Sequence, residues 1–217
     1  MSDPKQKLTA RQVADAGLDD WRLVLGVLRA RYATDDFASA AQLTQQVGEA
    51  AEAANHHPDL DLRWGRLDVA LASHDVGGIT SRDLDLARTV SGLAAEAGAR
   101  PDTASLQEVE LAIDTSHPDR IGPFWAAVLD GELTGNSVRS GTGDVPALWF
   151  QDTEDHDEPR QRFHVDVWLP PEQVQPRIDA ALAAGGTLAS DAEAPSFWVL
   201  ADPDGNKACL CTWQDRG

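Results

Sequence analysis

Three of the six histidines lie in one short window, and imidazole is the side chain best suited to proton transfer at neutral pH. His56 and His57 form an Asn-His-His-Pro run, and His74 follows a segment with the pattern of a strand. An unperturbed imidazole titrates near ~6.5, so it can act as acid or base. Zinc is the competing use of three histidines. Adjacent histidines project differently and the thiols Cys209 and Cys211 lie far downstream, which favours proton transfer.

Two helices and a strand are predicted to position these histidines. Phe37 to Ala54 has helical spacing after a Thr-Asp-Asp cap, and it ends at the histidine run because the residue before Pro58 is pushed out of helical geometry. Residues 62–73 alternate as a strand, with Leu, Val and Leu on one face. A Gly-Gly turn and a capping box at 80–83 precede a helix over 84–97, which Gly98 closes. The pattern does not by itself bring the helix-to-strand corner and the far end of the strand together.

In the rest of the first half, the residue pattern predicts a short helix over 8–17, capped by Thr9. It also predicts one or two strands between Trp21 and Ala33. Strands followed by helices in this order predict an α+β domain over residues 1–99. We expect one antiparallel sheet with helices on one face.

The chain changes pattern after residue 99. Residues 100–105 predict a linker, and 106–217 a second domain. In it the order strand, helix, strands occurs twice, which indicates a weak internal duplication. The predicted strands are Leu106–Ile113, Ala147–Gln151, Phe163–Leu169, Phe197–Leu200 and Ala208–Trp213, with helices over His117–Leu129 and Pro171–Ala184 and a loop rich in Gly and Ser before Ala147.

The net charge of −18 excludes several classes of partner. Up to Arg100 there are 15 acidic and 11 basic residues, and beyond it 21 and 7. Such a field repels phosphate backbones and anionic lipid, so we expect neither nucleic-acid nor membrane binding. The polar start of the chain, the lack of a long apolar run and the two cysteines placed two apart predict a cytoplasmic protein in a reduced compartment.

The histidine window resembles the pterin-4a-carbinolamine dehydratase family. The family pattern has a polar residue four before His-His-Pro, an aromatic residue after it, then a histidine and an aspartate. This chain supplies Glu52, His56-His57-Pro58, Trp64, His74 and Asp83 at those spacings. The resemblance covers roughly residues 8–99. Leu60 departs from it, because many members carry an aromatic residue there.

That resemblance implies an enzyme that removes water from a 4a-hydroxytetrahydropterin, giving quinonoid dihydropterin, with no metal or redox cofactor. His56 and His74 would be the proton-transfer pair and His57 would mainly hold the pterin, and these three are the expected catalytic residues. The expected substrate-binding residues are Glu52, Asn55, Trp64, Asp75 and Arg82, while Arg82 and Asp83 could equally brace the second helix. Both halves resemble families that form homo-oligomers, which implies a dimer or a tetramer.

The second half resembles the vicinal oxygen chelate superfamily, which includes glyoxalase I. The motifs are Pro123-Phe124-Trp125, the strand Phe163–Val167 and the Asp202–Asn206 turn. The resemblance implies paired βαβββ modules that form a curved sheet with a cleft. Metal-dependent members place ligands on the first strand of each module and a glutamate on the last. Here the corresponding candidates are Glu110, His164 and Cys209, a poor set for a hard ion, so we expect a module without metal.

Two alternatives stay open from the sequence. The chain could bind pterin or assemble with partners without catalysis, because Leu60 replaces an aromatic residue. It could also act as a metal-dependent lyase or dioxygenase through its second half. His117, His156 and the tryptophans of that half are expected to serve as cap, surface and core residues.

Overall fold

A computed structural model of the chain describes residues 3–116, 118–119, 121–122, 126, 131–140, 146–154, 163–183, 185–201 and 207–216. The chain divides into two compact units, Met1–Leu106 and Gln107–Asp215. The predicted linker, 100–105, therefore lies at the end of the first unit. None of the helices in the described part has the length and apolar character needed to cross a lipid bilayer.

The first unit is a sheet with helices on one face, as predicted. The elements are α1 (Ala10–Ala14), β1 (Arg22–Val24), β2 (Val27–Ala33), α2 (Phe37–Ala54), β3 (Asp59–Arg63), β4 (Arg66–Leu71), α3 (Ser81–Glu96) and β5 (Arg100–Pro101). The sheet has the order β1-β2-β4-β3, all antiparallel, and β5 pairs with β2. Alternate residues of β2 and β4 are buried and pack with the inner faces of α2 and α3 in one hydrophobic core.

The limits of α2 confirm the prediction. The Asp36 carboxylate accepts a hydrogen bond from the Ser39 N–H and caps the first turn. Asn55 ends the helix in the left-handed region, with φ 47°, and the His56 N–H donates to the Ala51 carbonyl. The histidine run thus starts directly at the helix end, where the chain turns into β3.

The strand predicted over residues 62–73 was wrong in one respect, because the segment is a hairpin. β3 and β4 are joined by a turn at Trp64 and Gly65, and Gly65 takes a positive φ of 69°. The predicted apolar face of Leu67, Val69 and Leu71 is correct, since all three are buried. The turn was missed because alternation of apolar and polar residues continues on both sides of it.

Three further limits in the first unit differ from the prediction. Helix α3 begins at Ser81 rather than Leu84, because Thr80 is its N-cap and Asp83 is already in its first turn. The predicted linker begins with β5, whose Arg100 and Pro101 pair with β2. Proline is tolerated at this edge position. Helix α1 is shorter than predicted, with the Thr9 cap in place.

The strands of the second unit repeat as predicted, while most of the helix predicted over 117–129 lies outside the described residues. The elements are β6 (Glu108–Thr115), β7 (Gly131–Thr134), β8 (Ser137–Ser140), β9 (Leu148–Asp152), β10 (Phe163–Trp168), a 3₁₀ turn (Pro171–Gln173), α4 (Val174–Ala183), β11 (Thr187–Ser190), β12 (Phe197–Ala201) and β13 (Lys207–Cys211). These eight strands, counted over the described residues, have the order β11-β12-β13-β10-β6-β9-β8-β7. β6 pairs parallel with β9, β10 pairs parallel with β13, and β6 and β10 join the halves antiparallel.

Three short strands of this unit were not predicted. β7 and β8 lie in the segment predicted as a loop rich in Gly and Ser, and β11 follows α4. Other predictions fall outside the described residues: His117, Phe124-Trp125 and most of the helix over 117–129, His156, and the turn at 202–206. The cleft expected from the resemblance stays a prediction.

The two faces of the second sheet differ in chemistry. One face carries apolar residues that pack against α4 and against residues 121 and 126, including Val167, Leu210 and Ile113. The other face carries Glu110, Asp166 and Cys209 in one row across β6, β10 and β13, because these residues are register partners. All three are buried.

Candidate active site

The β3–β4 hairpin places the histidine run and His74 at the same end of the sheet. Asp59, the first residue of β3, pairs with Ala70 near the end of β4. Only Pro58 separates His57 from β3, and only Ala72 separates Ser73-His74 from the end of β4. The predicted single strand did not bring the histidine run and His74 together. The hairpin does place them at one end of the sheet, because it folds β4 back along β3.

A buried carboxylate connects His56 to the end of β4. The Nε2 atom of His56 lies 2.7 Å from Asp83 Oδ1, and Ser73 Oγ donates to Asp83 Oδ2 at 2.7 Å. The Thr80 N–H also donates to Asp83 Oδ2, at 2.7 Å, and Thr80 Oγ1 lies 2.9 Å from Ser73 Oγ. Asp83 is fully buried and His56 is 8% exposed. The ring is thus held by a carboxylate that is itself fixed by two donors, the Ser73 hydroxyl and the Thr80 N–H.

This arrangement assigns the two ring nitrogens of His56 different tasks. An ionised carboxylate can only accept hydrogen bonds, so Nε2–H donates to Asp83. Nδ1 is then the nitrogen that can gain or lose a proton. A proton gained there makes an imidazolium next to a buried negative charge, which stabilises it.

His57 and Glu52 form a looser pair on the surface. His57 Nε2 lies 3.2 Å from Glu52 Oε1, and both side chains are exposed. An exposed ion pair of this kind contributes little to stability. Asn55 lies between the helix and these histidines, and its left-handed backbone ends α2. Its position is thus explained by helix termination, while its predicted role in binding stays a prediction.

His74 begins a tight turn that is tied to the start of α3. Its side chain is exposed, and its carbonyl accepts from the Gly77 N–H. The next residue, Asp75, accepts from Arg82 Nη2 at 2.6 Å and lies 3.1 Å from Lys5 Nζ. Hydrogen bonds from these two cations lower the pKa of Asp75 to about 2, and Arg82 makes the larger contribution. Asp75 and Arg82, both predicted to bind substrate, therefore bind each other in this structure.

The structure does not bring Trp64 to the histidines. Trp64 is 79% exposed in the turn at the opposite end of the hairpin, and the five residues of β3 separate the two ends by roughly 17 Å. Leu60, which stands where many members of the resembling family have an aromatic residue, is partly buried and packs against the core of the first unit.

The sequence interpretation gave Asp83 only a possible bracing role and did not single out Ser73. A capping box was visible at Thr80-Ser81-Arg82-Asp83, and it explains one oxygen of Asp83. The second oxygen binds His56 across 27 positions of sequence, a contact that only the folded hairpin creates. An aspartate that caps a helix and whose side chain is also fully buried indicates a second role beyond capping.

Of the three metal-ligand candidates predicted in the second unit, the structure brings His164 and Cys209 together but does not group Glu110 with them. Glu110 Oε2 accepts from Trp168 Nε1 at 2.8 Å, and Arg139 lies 3.8 Å from its other oxygen. His164 and Cys209 instead lie together with Asp166, which the sequence interpretation had not included. The His-x-Asp spacing within a strand could have indicated it, because residues two apart share a face.

Comparison with known proteins decides the family of the first unit. Residues 6–93 match the family model described as Pterin 4 alpha carbinolamine dehydratase. A protein of Thermosynechococcus vestitus named "Putative pterin-4-alpha-carbinolamine dehydratase" is 42% identical over 79 residues, which are 36% of this chain and 83% of that protein. The chain belongs to the pterin-4a-carbinolamine dehydratase family. A protein of the same name from Nocardia farcinica is 40% identical over 89 residues, 40% of this chain and 94% of its own length.

The second unit matches a different model, and residues 110–211 correspond to a Glyoxalase-like domain. The chain is thus a fusion of a pterin-4a-carbinolamine dehydratase domain and a glyoxalase-like domain, as predicted. Two solved structures are similar to its parts. A transcriptional coactivator/pterin dehydratase from Brucella melitensis has a TM-score of 0.40 at 30% identity, covering 41% of this chain and 99% of that one. A glyoxalase/bleomycin resistance protein/dioxygenase superfamily member from Vibrio splendidus has a TM-score of 0.34 at 13% identity, covering 49% and 99%.

Proposed function

We propose that this chain converts 4a-hydroxytetrahydropterin into quinonoid dihydropterin and water. The observation that carries the proposal is the hydrogen bond between His56 and the buried Asp83, beside the end of β4 that leads to His74. Family membership and the names of the relatives support the same reaction.

In the proposed reaction the C4a–O bond breaks, the N5–H proton leaves and a C4a=N5 double bond forms. His56 accepts the N5 proton at Nδ1, and the resulting imidazolium is stabilised by Asp83. His74, exposed in its turn, protonates the departing hydroxyl, so that water is the leaving group. His57, paired with Glu52, holds the pterin.

The test is the dehydration rate of the purified full chain against the spontaneous rate. Each proton-transfer group is worth about 10²–10⁴ in rate, so His56→Ala and His74→Ala should each slow the reaction by at least about tenfold. His57→Ala should mainly raise KM. A rate for the intact chain equal to the spontaneous rate would contradict the proposal. Saturable pterin binding without turnover would instead support a binding or assembly protein.

The subunit number and the site of action also remain proposals. We propose a homo-oligomer, as both resemblances imply, and a cytoplasmic location. Light scattering on the purified chain checks the first of these against the subunit mass of 23.3 kDa.

A further inference from the structure

Three potential metal ligands converge on the polar face of the second unit. His164 and Asp166 are two apart in β10 and therefore share a face, and Asp166 is the register partner of Cys209 in β13. The ligand atoms of these three residues all lie within 4.8 Å of one another. His164 Nε2 and Asp166 Oδ1 are 3.4 Å apart, close to the spacing of about 3.5 Å between two ligand atoms of a tetrahedral zinc ion.

Neighbouring side chains orient these groups in the way that metal ligands are usually oriented. Asp114 Oδ1 lies 3.3 Å from His164 Nδ1 at ion-pair distance, while Nε2 is the nitrogen directed at Asp166. A ligating histidine commonly donates its other ring nitrogen to a carboxylate, and Asp114 is placed where it could accept that hydrogen bond when a metal is bound. Trp149 Nε1 donates to Asp166 Oδ2 at 2.8 Å, and its ring meets the His164 ring edge to face at 5.9 Å.

Two buried carboxylates lie side by side on this face. Glu110 and Asp166 are directly opposite each other on neighbouring strands, and both are more than nine-tenths buried. Arg139 approaches Glu110 at 3.8 Å, and Asp166 lies beside the imidazole and the thiol. A cation bound next to Asp166 would offset part of the cost of burying its charge.

We propose that His164, Asp166 and Cys209 bind one zinc-like divalent transition-metal ion. Imidazole, carboxylate and thiolate are all zinc ligands, and the thiolate disfavours Mg²⁺ and Ca²⁺. The set differs from the pattern implied by the vicinal oxygen chelate resemblance, because the first module supplies no ligand and β10 supplies two. Three protein ligands leave a fourth position for water or a small molecule.

Cobalt titration of the reduced, metal-stripped full chain tests this proposal. Co²⁺ reports zinc sites by its visible spectrum, and a thiolate ligand adds a sulfur-to-cobalt charge-transfer band in the near ultraviolet. We expect saturation at one equivalent with this band, and displacement by Zn²⁺. Histidine-only binding in the first unit cannot give the band, so the readout is specific to the thiol and independent of dehydratase activity.

Matched variants locate the site. Cys209→Ser should abolish the band, whereas Cys211→Ser should keep it, because Cys211 is a buried thiol on the same strand and face but outside the group. Asp114→Asn should weaken Co²⁺ binding by about tenfold to hundredfold and leave the band in place at saturation. Circular dichroism checks the fold of each variant. If Cys209→Ser does not fold, the Co²⁺ titration of Asp114→Asn still tests the proposal.

Three results would overturn the proposal. One is the absence of saturable binding to the intact chain, which would leave an imidazole held between two carboxylates. Another is a band that persists in Cys209→Ser or disappears in Cys211→Ser. The last is an unchanged affinity in Asp114→Asn, since the carboxylate would then not orient a ligand.

Discussion

At the scale of single residues, Asp83 is the group on which the proposed site depends. Its two oxygens accept from His56, Ser73 and Thr80, so it fixes the ring and also closes the first turn of α3. Because it reaches the substrate only through His56, it is a positioning residue. Its negative charge is expected to matter most when the imidazole is protonated.

The first prediction concerns this charge. Asp83→Asn keeps the size of the side chain and removes the anion, so the imidazolium loses its stabilising partner. We expect kcat, measured per folded molecule, to fall by about a hundredfold with a smaller change in KM. Asp85→Asn is the matched control, since Asp85 lies two positions further along α3 in an exposed pair with Arg88. Equal rates in the two variants would contradict the role of Asp83.

The second prediction concerns the turn after His74. Arg82 and Lys5 lower the pKa of Asp75 from its ordinary 3.8 to about 2. A lowered pKa means that the contact stabilises the fold above about pH 4 and is lost as the pH falls towards 2. Carboxyl NMR titration of the full chain should show this low value for Asp75, and Arg82→Gln should move it back towards 3.8. An unchanged titration in Arg82→Gln would contradict the contact.

Sequence reasoning found the histidines because their residue type is itself the signal, but it could not see their partners. The His56–Asp83 contact joins the end of one helix to the start of the next. Asp166 was overlooked because an acidic residue on a strand normally faces water, and here it is buried. A residue's role that depends on its burial can therefore be recognised only once the fold is known.

At the scale of elements, the end of α2 places the histidine run. Asn55 takes a positive φ, which costs most residues with a Cβ about 1–2 kcal/mol and costs glycine almost nothing. The third prediction follows from this geometry. Asn55→Ala should lower the free energy of unfolding by about 1 kcal/mol, whereas Asn55→Gly should leave it nearly unchanged.

Denaturant unfolding of both variants measures this difference. The KM of Asn55→Gly then tests the predicted contact with substrate separately, because that variant keeps the helix end and loses only the side chain. Equal stability of the alanine and glycine variants would show that the left-handed turn does not limit the fold.

Elements with clear start and stop signals in the sequence were predictable, and short elements without such signals were not. Helix α2 has a capping aspartate at one end and a histidine-proline stop at the other, so its limits could be read directly. The hairpin turn at Trp64-Gly65 is marked by one glycine within a continuous alternation. β7 and β8 are four residues each and contain Gly, Thr and Ser, so their pairing in the sheet outweighs weak local preference.

At the scale of the whole molecule, the first unit has a hydrophobic core of its own. That core draws on α2, α3, β2 and β4, all within residues 1–106. The fourth prediction is that residues 1–106 fold alone and keep the dehydratase rate within about twofold, as expected of a domain with its own core. Circular dichroism and the dehydration assay check this, with the full chain as control. A fragment that is unfolded, or folded but inactive, would contradict the prediction.

The double task of Asp83 has a consequence for anyone who searches genomes for related enzymes. A lineage that abandoned the reaction would still keep Thr80 and Asp83, because they close a helix. The Thr-x-x-Asp signature therefore marks shared ancestry and cannot distinguish an enzyme from a relative that has become a scaffold. His74, exposed on its turn, is the more discriminating marker, since its loss would leave the architecture intact.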